Sequence, residues 1–201
     1  MTKISTKDKL IETGIELIWR NSYGSISVDE ICRKAGVNKG SFYHYFKSKA
    51  ELAAAVLEFH FDSCRSDFDE AFSPALSPQQ RINNMIDLIV NKQEEVYAQY
   101  GQVCGCPFSA LGSEIGARED IVNTKVQEIF SSYDRYMLSV LRDLVEEGVL
   151  AEDEDLNVVL SALRSYIMGV KMMARVENSL ETFRADVRFG VLRILGLPGD
   201  A

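Results

Sequence analysis

The chain has 201 residues, 46% hydrophobic and 26% charged, with four prolines, a globular composition that excludes disordered or collagen-like chains. Its length allows a sizeable core without disulfides or metals. The formal net charge of -8 argues, taken whole, against a nucleic-acid partner, yet the first 50 residues hold nine Lys/Arg against five Asp/Glu and the rest 13 against 25.

In chain order, Leu10, Ile11, Gly14, Ile15 and Ile18 recur at helical spacing and predict a helix over Thr6–Asn21. No apolar run of a secretory signal precedes it. Tyr23-Gly24-Ser25 breaks the pattern. Ser27 and Glu30 form a capping-box signature opening a short helix that ends at Ala35, with Gly36 suited to a left-handed cap. Asn38 caps a third helix, Lys39 to Phe46. Ser48 and Glu51 make a second capping box for a long helix to about Phe72. Ser73–Pro78 is the clearest linker, with Ser77 as cap and Pro78 at the first helical position of a helix to Gly101.

The uncharged stretch Val96–Ser113 carries Gln99, Gln102, Pro107 and three glycines, so it reads as a helix end, a turn and a new start rather than a membrane span. A short helix at Phe108–Ile115 and a long one over Glu119–Glu147 follow. The last two are expected at Leu156–Val176 and Leu180–Leu195. The acidic run Glu152–Asp155 reads as a solvated turn complementing a helix dipole, not a metal site. Cys32, Cys64, Cys104 and Cys106 do not suggest a disulfide framework in a chain of this length, and a reducing, cytoplasmic setting is expected.

Three short helices with Lys34-Ala35-Gly36-Val37-Asn38 between the second and third predict a helix-turn-helix. The third helix gathers Lys39, Gly40, Ser41, Tyr43, His44, Tyr45 and Lys47, donors and aromatic edges suited to phosphates and base edges. The plainer reading is a capped hairpin with a basic face. The stretch Ser27-Val28-Asp29-Glu30-Ile31-Cys32-Arg33-Lys34-Ala35-Gly36-Val37-Asn38-Lys39-Gly40-Ser41-Phe42-Tyr43-His44-Tyr45-Phe46-Lys47-Ser48-Lys49-Ala50-Glu51-Leu52 resembles the signature of the tetracycline-repressor (TetR) family. It departs at Asn38, where Ser is common, and at Cys32, where Ala is common. The resemblance implies that Lys39, Gly40, Ser41 and His44 face the major groove. It places Ser27, Tyr43, Tyr45 and Lys49 at the phosphate backbone, with Phe42 and Phe46 as core anchors.

It further implies an all-α chain of about nine helices: a helix-turn-helix DNA-binding domain over 1–50 and a ligand-binding and dimerisation domain over 51–201. The last two helices of each subunit would form a four-helix bundle in a homodimer. Two apolar rows on Leu156–Val176 point the same way, one for a core and one for a partner. The segment Val103–Glu114 resembles G-C-x-x-x-x-L-x-x-E of a subgroup that includes repressors of multidrug-resistance genes and repressors responding to electrophiles. Cys106 lies near a helix start, where thiols become reactive, so Cys104 and Cys106 are candidate redox or electrophile sensors. The plainer reading is two small apolar residues lining a pocket. Cys-x-Cys is not zinc spacing, and no metal or other cofactor is expected.

The remaining ligand candidates are Met85, Ile89, Phe108, Phe130, Tyr133, Met137 and Tyr166. No nucleophile–base–orienter set or phosphate loop is present, so the chain reads as non-enzymatic. The function implied is a regulator of repressor type that binds a palindromic operator on double-stranded DNA and is released by a small hydrophobic or electrophilic inducer. The alternative is a DNA-binding dimer with a thiol switch and no reversible ligand.

Overall fold

Ser5 opens the first helix in a computed structural model that describes residues 5–115 and 118–199. The first four residues of the basic head, Lys3 among them, lie outside the described residues, as do the junction Gly116–Ala117 and the end of the acidic body at Asp200. Ser5 and Asp8 cap α1 (Thr6–Arg20) reciprocally, a box the hydrophobic spacing did not reveal. A 3-10 turn, Tyr23–Ser25, leads to α2 (Val28–Ala35). The Ser27 hydroxyl accepts from Glu30 N at 3.1 Å. Gly36 ends α2 at φ 66°, where a side chain would be strained, and Val37 N returns to Cys32 O at 3.0 Å. Asn38 Oδ1 accepts from Ser41 N at 2.7 Å and starts α3 (Lys39–Tyr45).

Ser48 caps α4 (Lys49–Ala71) through Glu51 N at 3.1 Å. The Glu51 carboxylate accepts from Lys47 N, one residue upstream of the cap expected from the capping-box pattern. Ser77, Pro78 and Gln80 open α5 (Pro78–Tyr100) as a complete capping box. Then come α6 (Pro107–Ile115), α7 (Asp120–Glu146), α8 (Leu156–Glu177) and α9 (Leu180–Leu195). Among the described residues the elements are these nine helices and one 3-10 turn, the all-α class expected. None of the described helices is long and apolar enough to cross a membrane.

The chain divides into two compact units that do not part at residue 50. The first holds the chain up to Cys64 together with Pro107–Ile129; the second holds Arg65–Cys106 and the chain from Phe130 on. The helix-turn-helix therefore shares its unit with most of α4, with α6 and with the start of α7. Leu10, Ile31, Phe42, Leu52 and Leu57 are fully buried there. α1 passes so close to α4 that a Cβ on Gly14 would lie 2.8 Å from the Val56 side chain.

In the second unit Ile82, Ile86, Leu141, Leu144, Leu163, Phe183, Val187, Val191 and Leu195 form one core. Each such side chain contributes roughly 1.5–3 kcal/mol on burial. Arg188 reaches Asp87 at 2.6 Å and Arg184 reaches Glu94 at 2.5 Å, orienting α9 on α5. These pairs are solvent-exposed and add little stability beyond that register.

Candidate DNA-reading helix and effector core

α3 has seven residues and buries one edge. Phe42 is fully buried and Phe46 nearly so, their rings 6.0 Å apart, and they fix the helix against its unit. Lys39, Gly40, Tyr43, His44 and Tyr45 remain exposed, Tyr43 by 53% and Tyr45 by 41%. A Cβ on Gly40 would meet only Asn38 Oδ1, at 3.2 Å, so the protein itself leaves the outer side of this helix start open. Ser41 is half-buried. The His44 and Tyr45 rings meet edge-on at 4.8 Å.

Lys39 Nζ lies 2.7 Å from Asp29 Oδ1, and that hydrogen bond and charge raise its pKa. The same helix-turn-helix thus brings a donor and an acceptor to one exposed edge. Burial pushes the Cys32 thiol up, with Asp29 adding to the effect, as suits a small buried hydrophobe on α2.

Two of the residues assigned to the phosphate backbone already have work inside the protein. The Ser27 hydroxyl accepts the α2 cap bond. Lys49 Nζ donates to Tyr23 O and Ile26 O, both at 2.8 Å, and sits 4.0 Å over the Tyr23 ring. Burial lowers the Lys49 pKa, with Glu114 and Glu119 opposing it. An ammonium has three donors, so two of them are spent inside the protein. Burial, with Glu119 and Glu114 nearby, pushes the Tyr23 phenol up to about 12.

The ligand candidates separate. Met85, Ile89 and Met137 belong to the core of the second unit, with Val103, Leu163 and Ile167. Tyr133 is half-buried with its ring 4.7 Å from that of Phe68, and Phe130 is half-buried. Tyr166 turns toward α9: its hydroxyl donates to Asp186 O at 2.7 Å and its ring lies over Gly190. Phe108 belongs to the first unit, where its ring is 5.6 Å from His60, itself 4.6 Å from Trp19. Six of these seven candidates thus lie in the second unit and Phe108 in the first. Trp19 and His60 were not singled out from sequence, because no local pattern joins residues 41 positions apart.

Cys104 and Cys106 are buried. The loop that carries them is held by Gln93, whose amide donates to Gly105 O at 3.0 Å and accepts from Gly105 N at 3.2 Å. Val103 N donates to Asn178 Oδ1 at 2.9 Å. Gly105 has φ 72°, and a Cβ there would come 3.4 Å from Lys171 O. Gln93 is 4% exposed between the buried Ile89 and Val96 of α5, a signal that sequence reasoning passed over. So is Arg81, buried at the start of the same helix and paired with Asp143.

The family described as "Bacterial regulatory proteins, tetR family" matches residues 10–56, and "Tetracyclin repressor-like, C-terminal domain" matches residues 78–188. The chain belongs to the TetR family. Its relatives include the transcriptional regulator AcuR of Cereibacter sphaeroides, 31% identical over 84% of this chain and 75% of that protein. The repressor NemR of Escherichia coli K12 is 29% identical over 57% of this chain and 56% of its own length. Among solved structures, regulatory protein TetR from Rhodobacter sphaeroides superimposes with a TM-score of 0.76 at 29% identity, covering 94% of this chain and 95% of that one. The reduced form of E. coli NemR shares the fold, with a TM-score of 0.77 at 23% identity over 96% and 99%. As a TetR-family protein the chain is a transcriptional regulator with a helix-turn-helix DNA-binding head. The family's regulators bind DNA and ligands and usually act as dimers.

Proposed function

We propose that this TetR-family chain is a repressor that binds a near-palindromic operator as a homodimer and is released by a small hydrophobic or electrophilic inducer. The observation that carries the reading is the outer side of α3. Lys39, Gly40, Tyr43, His44 and Tyr45 stand exposed on a helix anchored from behind by Phe42 and Phe46. In this reading Lys39, Gly40, Ser41 and His44 address base edges, and Ser27, Tyr43, Tyr45 and Lys49 address phosphates. Residues 1–50 read DNA; residues 51–201 bind the ligand and dimerise. The chain acts in the cytoplasm and catalyses no reaction.

Dimerisation is supported by the second unit. Val158, Ala162, Gly169, Met173 and Val176 form an exposed stripe on α8, and Phe189 on α9 is 72% exposed. Such apolar faces seek a partner. A symmetric dimer would set two α3 helices about 34–36 Å apart, one DNA turn. Footprinting of the protein on the DNA upstream of its own gene tests the reading: protection of an inverted repeat is expected, and uniform coating of random DNA would reject it.

The thiol alternative is favoured by one placement: Cys106 immediately precedes Pro107, the first residue of α6. A solved fold neighbour, NemR, is described in a reduced form. Titration of the DNA complex with N-ethylmaleimide separates the two readings. Release of the wild type but not of Cys106→Ser supports a thiol switch, and equal release of both removes it.

A further inference from the structure

The turn between α1 and α2 is gripped from two sides by opposite charges. Glu114, in the last turn of α6, places Oε1 2.6 Å from Gly24 N and 2.7 Å from Ser22 Oγ, and Oε2 2.8 Å from Tyr23 N. On the other side, the Lys49 ammonium holds the carbonyls of Tyr23 and Ile26. The Tyr23–Gly24 peptide is held at both ends, its N–H donating to the carboxylate and its C=O accepting from the ammonium, so this one peptide dipole lies between the two charges. Bonds of this charge-assisted kind are the stronger ones.

The site is shaped for the carboxylate. A Cβ on Gly24 would come 3.1 Å from Glu114 Oε1, so alanine there would press the carboxylate back by a few tenths of an ångström. A negative charge in the last turn of a helix opposes the helix dipole, and the three donors must offset that. Burial tends to raise the Glu114 pKa. The Gly24 N–H, the Ser22 hydroxyl, the Tyr23 N–H and the Lys49 charge outweigh it and hold the carboxyl below its ordinary range.

The turn leads at once to Ser27, the cap of α2, and Ile26 before it is buried. Whatever fixes Tyr23–Ile26 therefore sets the direction in which α2 leaves α1, and α3 follows through the Gly36 turn. α6 begins at Pro107, directly after Cys106, so the helix that ends at this grip begins at the thiol-bearing segment.

We propose that Glu114 is a positioning residue for DNA binding: through the Ser22–Gly24 turn it fixes α2 and α3 against α1 and makes α6 part of the reading head. The proposal rests on the DNA-binding reading above. Its test uses the full chain and a duplex that the wild type selects from a randomised DNA pool, with a scrambled duplex as control. Glu114→Gln and Gly24→Ala should each weaken the selected duplex about tenfold or more and the scrambled one by less than about twofold. Alignment governs the specific complex, whereas loose phosphate contact does not need it.

The amide proton shifts of Tyr23 and Gly24 should titrate with the Glu114 carboxyl in the wild type and lose that titration in Glu114→Gln. This shows the grip in solution independently of stability. Where Glu114→Gln is unfolded by circular dichroism, Gly24→Ala, which keeps both charges, decides by the same criterion. Selected-duplex affinity within twofold of wild type, with the amide titration gone, overturns the proposal alone. Failure of the wild type to enrich any duplex overturns the DNA-binding reading and the proposal with it.

Discussion

Replacing Gly190 by alanine should destabilise the second unit, although alanine is the better helix former. The new Cβ would lie 1.9 Å from Tyr166 Cζ and 2.1 Å from its Cε1 and Oη. Ordinary contact begins at 3.4 Å, so the ring must retreat by about 1.5 Å. A phenol ring is rigid, and this one is anchored by its bond to Asp186 O. Overpacking of this kind costs about 2 kcal/mol. Loss of the hydroxyl bond costs about 1 kcal/mol, and helix propensity returns about 1 kcal/mol. The net is about 2 kcal/mol, a fall in Tm of roughly 4–8 °C for a chain of this size. Circular dichroism melts at one fixed protein concentration measure it, since dimerisation would make Tm concentration-dependent. The cycle with Tyr166→Ala isolates the clash: the second change should recover most of what Gly190→Ala loses in that background. Strict additivity, or a Gly190→Ala protein as stable as wild type, would refute the packing argument. The same cycle bears on Tyr166 as a ligand residue. A side chain committed to α9 should, as Tyr166→Phe, lose about 1 kcal/mol of stability while leaving the inducer concentration for DNA release unchanged.

Other outcomes follow from the head and the exposed face of α8. Lys39→Ala should change which base pairs are preferred in a selected duplex, whereas Tyr43→Phe should weaken selected and random duplexes alike; competition assays at fixed salt distinguish them. Glu114 has a folded-state pKa below its ordinary 4.5, so its stabilisation is complete above that value and is lost as pH falls through the folded value. Acid melts of wild type and Glu114→Gln should therefore differ fully above about pH 4.5 and converge as pH falls through the lower folded value. Val176→Glu should shift the sedimentation coefficient toward that of a single chain without changing helicity, because Val176 is 71% exposed within the chain and contributes little to its own fold.

The local rules of the chain made most of its elements readable. Asn38, Ser48, Ser77 and Gly36 each act within three or four residues of themselves, and the helices start and stop where those residues dictate. The exposed face of α3 came through the family resemblance, which implied Phe42 and Phe46 as core anchors; both are buried while Lys39, Tyr43 and His44 are exposed. What lay hidden depends on residues far apart in sequence. The inward turn of Lys49 needs Tyr23 and Ile26, and the grip of Glu114 reaches a backbone N–H 90 positions earlier. The packing of Tyr166 over Gly190 joins residues 24 positions apart on two helices, which no local pattern announces. The expected division at residue 50 followed the end of the motif, whereas the compact first unit also recruits α6 from more than 50 residues further on.

The Gln93 side chain satisfies the N–H and the C=O of Gly105 together, as a neighbouring strand would in a ladder. A backbone so served needs no water, which lets a loop lie buried with two thiols on it. Those thiols are behind a closed door. Any reagent that reaches Cys104 or Cys106 must wait for the door to swing, so the speed of labelling counts openings rather than the appetite of the sulfur. At high reagent the rate should level off, and Gln93→Leu should lift the plateau.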